Sequence, residues 1–217
     1  MRPERHRFVI LDKDWRQFSP DFAACLHRDE SRQHLAGWID GGGPLVVASS
    51  HPTDAEGTVR LGLATPDKQR LGLTIATEAI HDLLPALTLA EARAAAPEAW
   101  QPRLSAILAL AEDHGFELGL FGSLAWQTHT GRTYLHPASD LDLLIRFASR
   151  NRHENALRAL LSLDGQPRLD GEVLLCDGGA VNLRELATNA AELMEKRHGG
   201  PRLVPRDEVL GRLGGRE

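Results

Sequence analysis

The sequence predicts an α/β (α+β) protein made of a small N-terminal α/β domain and a larger C-terminal domain. Short apolar runs separated by turns dominate the first third of the chain. Strand-like and helix-like segments alternate in the second half, and an Ala/Pro-rich passage at about residues 85–100 lies between the two regions. A chain of 217 residues can form two compact units. We therefore predict domains at residues 1–95 and 96–217.

The N-terminal domain is predicted to contain a small sheet with a hairpin. The strand candidates are "PLVVASS" (44–50), "VRLGLAT" (59–65) and "RLGLTIA" (70–76), and "PDKQ" supplies a turn between the last two. The repeated "RLGL" is typical of two facing hairpin strands. Short helices are predicted at residues 22–28 and 31–39, ahead of the flexible "DGGG".

The C-terminal domain begins with helical signals. Thr88 and Glu91 form a capping-box pattern ahead of "LAEARAAA", and Gly115 is a natural end for the next helix, "RLSAILALAEDHG". Strands and helices then alternate, which predicts an α/β arrangement. The segments are strand "FELGLFG", helix "SLAWQTH", strand "SDLDLLIRF", helix "HENALRALLSL", strand "RLDGEVLL" and a more helical tail with "AAELMEKRH".

Composition and charge exclude several classes of protein. The formal net charge of -5 argues against a protein that coats nucleic acid polymers. Two isolated cysteines give no disulfide framework and no zinc motif, which favours a reducing compartment. No segment is long and apolar enough for a membrane span, and the first apolar run is too short for a signal peptide. The expected location is the cytoplasm.

Two aspartates in an apolar strand are the strongest chemical signal. Side chains alternate along a strand, so Asp140 and Asp142 share one face while Leu141 and Leu143 point to the other. Two such close carboxylates are unfavourable unless one is protonated or a cation lies between them. Since Mg²⁺ prefers carboxylate oxygens, water and phosphate, we interpret the pair as a magnesium site.

A Gly-Ser turn upstream predicts a phosphate site. Gly122 and Ser123 join a strand to a helix, where backbone N–H groups and a hydroxyl favour an anion. Arg132 and Arg146 lie near the acidic strand in sequence and are candidate bidentate donors to a triphosphate.

The Gly-Ser turn, the helix and the Asp-x-Asp strand together resemble the nucleotidyltransferase superfamily of the DNA polymerase β type. The resemblance implies a third carboxylate from a later strand, for which "RLDGEVLL" offers Asp170 and, as a close second, Glu172. It also implies catalysis by these acids, with Asp140, Asp142 and Asp170 as ligands of two Mg²⁺ ions.

Five motifs extend the resemblance: "GSLAWQ", "TGRTYL", "SDLDLL", "RLDGE" and "NLRELA". In this order they resemble the malonate decarboxylase holo-acyl-carrier-protein synthases, or phosphoribosyl-dephospho-CoA transferases. The resemblance implies transfer of 2'-(5''-triphosphoribosyl)-3'-dephospho-CoA to a serine of the apo acyl carrier subunit of malonate decarboxylase, with release of pyrophosphate. The chain departs from the expected pattern at Asn182-Leu183, where a Trp is expected before the arginine.

Two other functions remain open at this level. One is another small Mg²⁺-dependent nucleotidyltransferase, which would modify the citrate lyase carrier or transfer AMP to a small molecule or protein. The other is a binding protein with a degenerate site, against which the intact acids argue. The absence of a GxSxG motif argues against acyl-serine catalysis, and the absence of GxxxxGK[ST] excludes a P-loop. We expect the carrier to dock on Arg146, Arg150 and Arg152, or else on the N-terminal sheet, which would form a wall of the cleft.

Overall fold

The computed structural model describes residues 3–19, 22, 29–148 and 153–214. The chain divides into two compact units, one of Met1–Ala86 with His129–Tyr134 and one of Leu87–Thr128 with Leu135–Glu217. The division falls earlier than the 95/96 boundary expected from the sequence. The reason is that Leu87 already belongs to the second unit, since its carbonyl accepts the N–H of Leu120 at 2.9 Å. Most of the helix predicted at 22–28 lies outside the described residues, as do Arg150 and Arg152.

The N-terminal unit contains an antiparallel five-stranded sheet in the order β4-β3-β2-β1-β5. The predicted hairpin is confirmed, because Leu61 faces Leu73 and Gly62 faces Gly72 across β3 and β4. Two strands that were not predicted, β1 and β5, complete the sheet. The strands are β1 (Phe8–Leu11), β2 (Leu45–Val47), β3 (Thr58–Ala64), β4 (Arg70–Ala76) and β5 (Ile80–Leu83).

One helix of this unit, α1 (Glu30–Asp40), follows directly from its sequence. Asp29 caps its first turn by accepting backbone N–H groups of Ser31 and Arg32, as an N-terminal aspartate does in many helices. The predicted helix at 31–39 is thereby confirmed.

The C-terminal unit contains a six-stranded sheet in the order β11-β10-β9-β8-β7-β6. The β7–β8 pairing is parallel and the other described pairings are antiparallel. The strands are β6 (Phe116–Leu120), β7 (Leu141–Phe147), β8 (Leu169–Leu174), β9 (Ala180–Asn182), β10 (Glu192–Arg197) and β11 (Gly200–Pro205). The helices are α2 (Leu89–Ala92), α3 (Gln101–His114), α4 (Gly122–Thr130), α5 (His153–Ser162), α6 (Leu183–Leu186) and α7 (Arg206–Leu210).

These elements confirm the α/β class and most of the predicted order. The capping box at the start of α2 is present, with Thr88 and Glu91 bonded in both directions. Gly115 ends α3 in the left-handed conformation, at φ 67°. None of the described helices is long and apolar enough to cross a membrane.

The prediction of a helical tail was wrong, because this segment forms the β10–β11 hairpin. Its residues have good helix propensity, but their burial alternates with a period of two. Leu193 and Glu195 are buried, whereas Met194 on the opposite face is exposed. Packing on one face of a sheet therefore overrides local helix propensity here.

The register between β7 and β8 positions the acidic residues. Leu141, Asp142 and Leu143 pair with Leu169, Asp170 and Gly171, respectively. Leu141 and Leu143 are fully buried, so the intervening position faces the other side of the sheet. Gly171 lies so close to β7 that an added Cβ would be 2.4 Å from the Leu143 carbonyl oxygen.

We predict that Gly171→Ala lowers the free energy of unfolding by about 1–3 kcal/mol, because the new methyl group forces the two strands apart. Denaturant unfolding of the whole chain measures the change. Gly211→Ala is the matched control, since its Cβ would meet nothing closer than the Asp207 carbonyl oxygen at 3.4 Å. An unchanged midpoint for Gly171→Ala would contradict the close approach of β7 and β8.

Candidate active site

Three of the predicted acids converge on one face of the C-terminal sheet. Asp140 immediately precedes β7, Asp142 lies within it, and Asp170 is the register partner of Asp142 on β8. The negative charges of Asp170 and Asp140 are both close enough to raise the pKa of Asp142. The parallel pairing therefore assembles the cluster that the sequence analysis proposed.

Asp142 is an acid of this cluster whose pKa is raised. Burial raises its pKa to about 7, and the charges of Asp170 and then Asp140 contribute to the rise. The backbone N–H of Ser123 opposes the rise by donating a hydrogen bond to the carboxylate. Asp142 is therefore poised to exchange a proton, or to accept a cation, near neutral pH.

Gly122 explains how the carboxylate reaches the start of α4. This glycine has φ +68°, and a Cβ there would lie 1.8 Å from Asp142 Oδ2. Phe121 also donates its N–H to the Asp142 carbonyl at 3.1 Å, which fixes the turn to the strand. The Gly-Ser turn and the acidic strand are thus packed together, and the Ser123 N–H donates a hydrogen bond to the Asp142 carboxylate.

Asp140 has a different partner. The Arg168 guanidinium grips both of its oxygens, with Nε 2.9 Å from Oδ1 and an Nη2 contact to Oδ2. The hydrogen bonds from Arg168 are the main cause that holds the pKa of Asp140 below its usual value, and the charges of Arg168 and Arg184 reinforce them. Asp140 is therefore fully ionised at neutral pH.

Asp170 is oriented from its own strand and from β9. Its Oδ1 accepts the N–H of Gly171 at 2.8 Å and the Asn182 side-chain amide at 3.2 Å. Asn182 also caps α6, because its side-chain oxygen accepts the N–H groups of Arg184 and Glu185. The Asn at the position that departs from the family pattern thus links the third acid to a helix start.

Glu172, the second candidate for the third acid, has a separate environment. Its side chain is 4% exposed, and its Oε1 lies 2.9 Å from Lys196 Nζ. Its register partners are Leu144 and Asn182, whereas Asp170 pairs with Asp142. This arrangement favours Asp170 over Glu172 as the carboxylate that acts together with Asp142.

Sequence reasoning gave no role to Arg168 or Arg184, although both border the acids. Arg184 donates from Nε and Nη2 to the Leu169 carbonyl, at 3.2 and 2.7 Å, so its guanidinium is anchored. A signal for Arg168 does exist in the sequence. "DLD" and "RLD" lie 28 residues apart, and parallel pairing of their Leu-Asp steps places residue 168 beside residue 140.

Of the two predicted arginine ligands, Arg146 shares a unit with the acids and is not brought to them. Arg146 is exposed, faces Glu117 and lies four residues beyond Asp142, which is about 13 Å along an extended strand. Arg132 belongs to the N-terminal unit, where its guanidinium lies 4.6 Å from the centre of the Trp38 ring. The roles of Arg132 and Arg146 in substrate binding stay predictions.

The donor set fits a hard cation at Asp142 and Asp170. Within the described residues, no group of three or more His, Cys, Asp and Glu side chains could hold a metal ion as it stands. Arg168 engages both oxygens of Asp140, which leaves the facing pair on β7 and β8. Since a cation between these two carboxylates would offset their repulsion, the pair suits Mg²⁺.

Comparisons with known proteins place both parts of the chain in one family. A model of the phosphoribosyl-dephospho-CoA transferase MdcG C-terminal domain matches residues 88–207, and one of the corresponding N-terminal domain matches residues 4–86. The two matches meet where the structure divides, between Ala86 and Leu87. No solved structure matches the chain.

Several curated relatives are named phosphoribosyl-dephospho-CoA transferase. One from Xanthomonas campestris pv. campestris (strain 8004) is 39% identical over 185 residues, covering 83% of this chain and 87% of the relative. One from Xanthomonas euvesicatoria pv. vesicatoria is 37% identical, covering 93% and 94%. A third, from Bradyrhizobium diazoefficiens, is 36% identical, covering 89% and 86%.

The raised pKa of Asp142 predicts a pH-dependent gain in stability for Asp142→Asn. Because the folded pKa of about 7 exceeds the ordinary 3.8, the folded state retains a proton that the unfolded state releases as pH rises. The resulting loss of wild-type stability begins near pH 4 and is complete above pH 7. The amide avoids this loss, so without divalent cations the variant should be roughly 1–3 kcal/mol more stable at pH 8. A shift of the pKa from 3.8 to about 7 corresponds to ~4 kcal/mol at ~1.4 kcal/mol per pKa unit. The expected gain is smaller because the carboxylate is only partly buried.

Denaturant unfolding at pH 4 and pH 8, roughly bracketing the transition, measures this difference. Asp140→Asn is the matched control: Arg168 already compensates this carboxylate, so the variant should gain nothing at pH 8. An equal gain for Asp142→Asn at both pH values would show that the carboxyl does not titrate in this range.

Proposed function

The chain belongs to the phosphoribosyl-dephospho-CoA transferase family, and on that premise we propose that it transfers 2'-(5''-triphosphoribosyl)-3'-dephospho-CoA to a serine of the apo acyl carrier subunit of malonate decarboxylase. The chain is a transferase enzyme, and pyrophosphate would be the second product. The observation that carries the proposal is the facing of Asp142 and Asp170 across β7 and β8, beside the Gly-Ser start of α4. The placement in the polymerase-β-like nucleotidyltransferase superfamily is part of the proposal.

The proposed reaction is a phosphoryl transfer. The carrier serine oxygen forms a bond to the α-phosphorus of the triphosphate, and the bond from that phosphorus to the bridging oxygen of the β-phosphate breaks. Pyrophosphate leaves with the bonding electrons, and the serine proton passes to a base. The prosthetic group remains on the carrier through a phosphodiester.

Asp142 and Asp170 would hold Mg²⁺, with Asp140 as a further ligand. The superfamily resemblance implies two ions. When bound, Mg²⁺ neutralises charge that develops on the phosphates during transfer.

Asp170 is the residue that we assign as base. Its described hydrogen bonds, from Gly171 and Asn182, both fall on Oδ1. Among the described residues this leaves Oδ2 as the oxygen that can receive the serine proton. The Asn182 contact fixes the orientation of the carboxylate, which keeps the accepting oxygen in one position.

The proposed cellular location and the proposed docking surface each depend on one exposed residue. The exposed free thiol of Cys176 suits a reducing compartment, which supports a cytoplasmic location. For carrier docking, Arg146 is exposed on β7 and remains a candidate contact for an acidic partner.

An intact-protein mass measurement tests the proposed function. The protein is incubated with Mg²⁺, triphosphoribosyl-dephospho-CoA and the apo carrier of malonate decarboxylase, and the carrier should gain one phosphoribosyl-dephospho-CoA group as pyrophosphate appears. A carrier with alanine in place of its acceptor serine is the control and should gain nothing. Modification of the citrate lyase carrier alone would reassign the partner, and no modification of either carrier would refute the proposal.

In the same assay we predict that Asp140→Asn, Asp142→Asn and Asp170→Asn each reduce the transfer rate by about 100-fold or more, since each removes a charge needed at the reacting phosphate or a base. Glu172→Gln should cost less than about tenfold, because the Glu172 carboxylate is paired with Lys196 and is not the proposed base. Circular dichroism confirms that each variant is folded. A larger loss for Glu172→Gln than for Asp170→Asn would transfer the role of third acid to Glu172.

A further inference from the structure

The two aspartates around the start of β7 are held in opposite ways. Asp142 is fixed by backbone, because the Ser123 N–H binds its carboxylate and Gly122 lies against Oδ2. Asp140 is held instead by the end of an arginine side chain that is 64% exposed. One carboxylate is therefore immobilised, while the other can exchange its partner without a change in the fold.

The backbone of Arg168 is fixed even though its guanidinium reaches solvent. Its carbonyl accepts the N–H of Leu141 at 2.9 Å, within the in-register pairing that places residues 140 and 168 side by side. A guanidinium grips phosphate with the same fork of N–H groups that it uses for carboxylate. Rotation of this side chain would therefore exchange one bidentate partner for another.

The neighbouring Arg184 has no such freedom, because two of its nitrogens bind the Leu169 carbonyl. It stays close enough to lower the pKa of Asp140 but does not grip the carboxylate. Arg168 is therefore the arginine that can release Asp140 when other ligands bind.

We propose that Arg168 is a positioning residue that competes with the divalent cation for Asp140 and moves to a phosphate oxygen of the substrate once the cation is bound. The inference rests on the proposed function and deepens it. In the cation-free enzyme Arg168 holds both oxygens of Asp140. When cation and triphosphate bind, Asp140 turns from the guanidinium to the cation, and the released guanidinium offsets phosphate charge.

Titration with Mn²⁺ alone, followed by electron paramagnetic resonance without nucleotide or carrier, tests the competition. Arg168→Gln should bind Mn²⁺ about two- to fivefold more tightly than wild type, which is the range expected when an exposed ion pair no longer competes. Arg184→Gln is the matched control, because it also removes one positive charge near Asp140 but leaves the grip of Arg168 in place. The gain for Arg168→Gln should exceed any gain for Arg184→Gln.

Steady-state transfer assays supply the second readout. Arg168→Gln should raise KM for the nucleotide by about tenfold or more, since a bidentate contact to phosphate is lost. Arg168→Lys keeps the positive charge but cannot form bidentate hydrogen bonds, so it should show smaller changes in Mn²⁺ affinity and in KM. It also replaces the glutamine variant if that variant does not fold.

Unchanged or weaker Mn²⁺ binding in the Arg168 variants would overturn the inference, as would a gain no larger than that of Arg184→Gln. Either result leaves the proposed function intact, because wild-type transfer to the carrier is measured separately. If the wild-type protein binds no Mn²⁺, the cation part of the proposed function fails, and the competition fails with it.

Discussion

The in-register parallel pairing of β7 and β8 places two carboxylates side by side, and the rest of the site depends on that pairing. Like charges at this distance oppose folding unless protons, cations or hydrogen bonds compensate them. Two glycines make the arrangement sterically possible: Gly171 lets the strands approach, and Gly122 lets Asp142 meet the start of α4. The fold thus maintains an electrostatically unfavourable arrangement that a bound cation would relieve.

The charges of the carboxylates in the C-terminal unit are compensated to different degrees. Glu195 is fully buried on β10, yet three arginines, Arg197, Arg202 and Arg212, surround it. Burial alone would raise the pKa of Glu195, but these arginines hold it below the usual value. Asp142 has a raised pKa, because burial and the charges of Asp170 and Asp140 outweigh the Ser123 N–H and the charge of Arg168. A raised pKa caused by burial and neighbouring carboxylates is typical of sites for chemistry, which supports the proposed role of Asp142.

Local patterns in the sequence were sufficient for the features that depend on near neighbours. Alternation along "SDLDLL" placed Asp140 and Asp142 on one face, and Thr88 with Glu91 marked the start of α2. Features that depend on the pairing of distant strands could not be predicted from local sequence patterns. The Arg168–Asp140 contact requires the register of two strands 28 residues apart, and the β10–β11 hairpin required packing to override helix propensity. Arg146 seemed close to the acids only because distance along the chain was used in place of distance along a strand.

Anomalous diffraction from crystals grown with Mn²⁺ in place of Mg²⁺ tests most directly whether the facing carboxylates form a cation site. We expect an anomalous peak between β7 and β8, with oxygens of both Asp142 and Asp170 as ligands. We also expect the peak to disappear in crystals of Asp142→Asn. No peak at this position under saturating Mn²⁺, or a peak bound without either of these aspartates, would contradict the account.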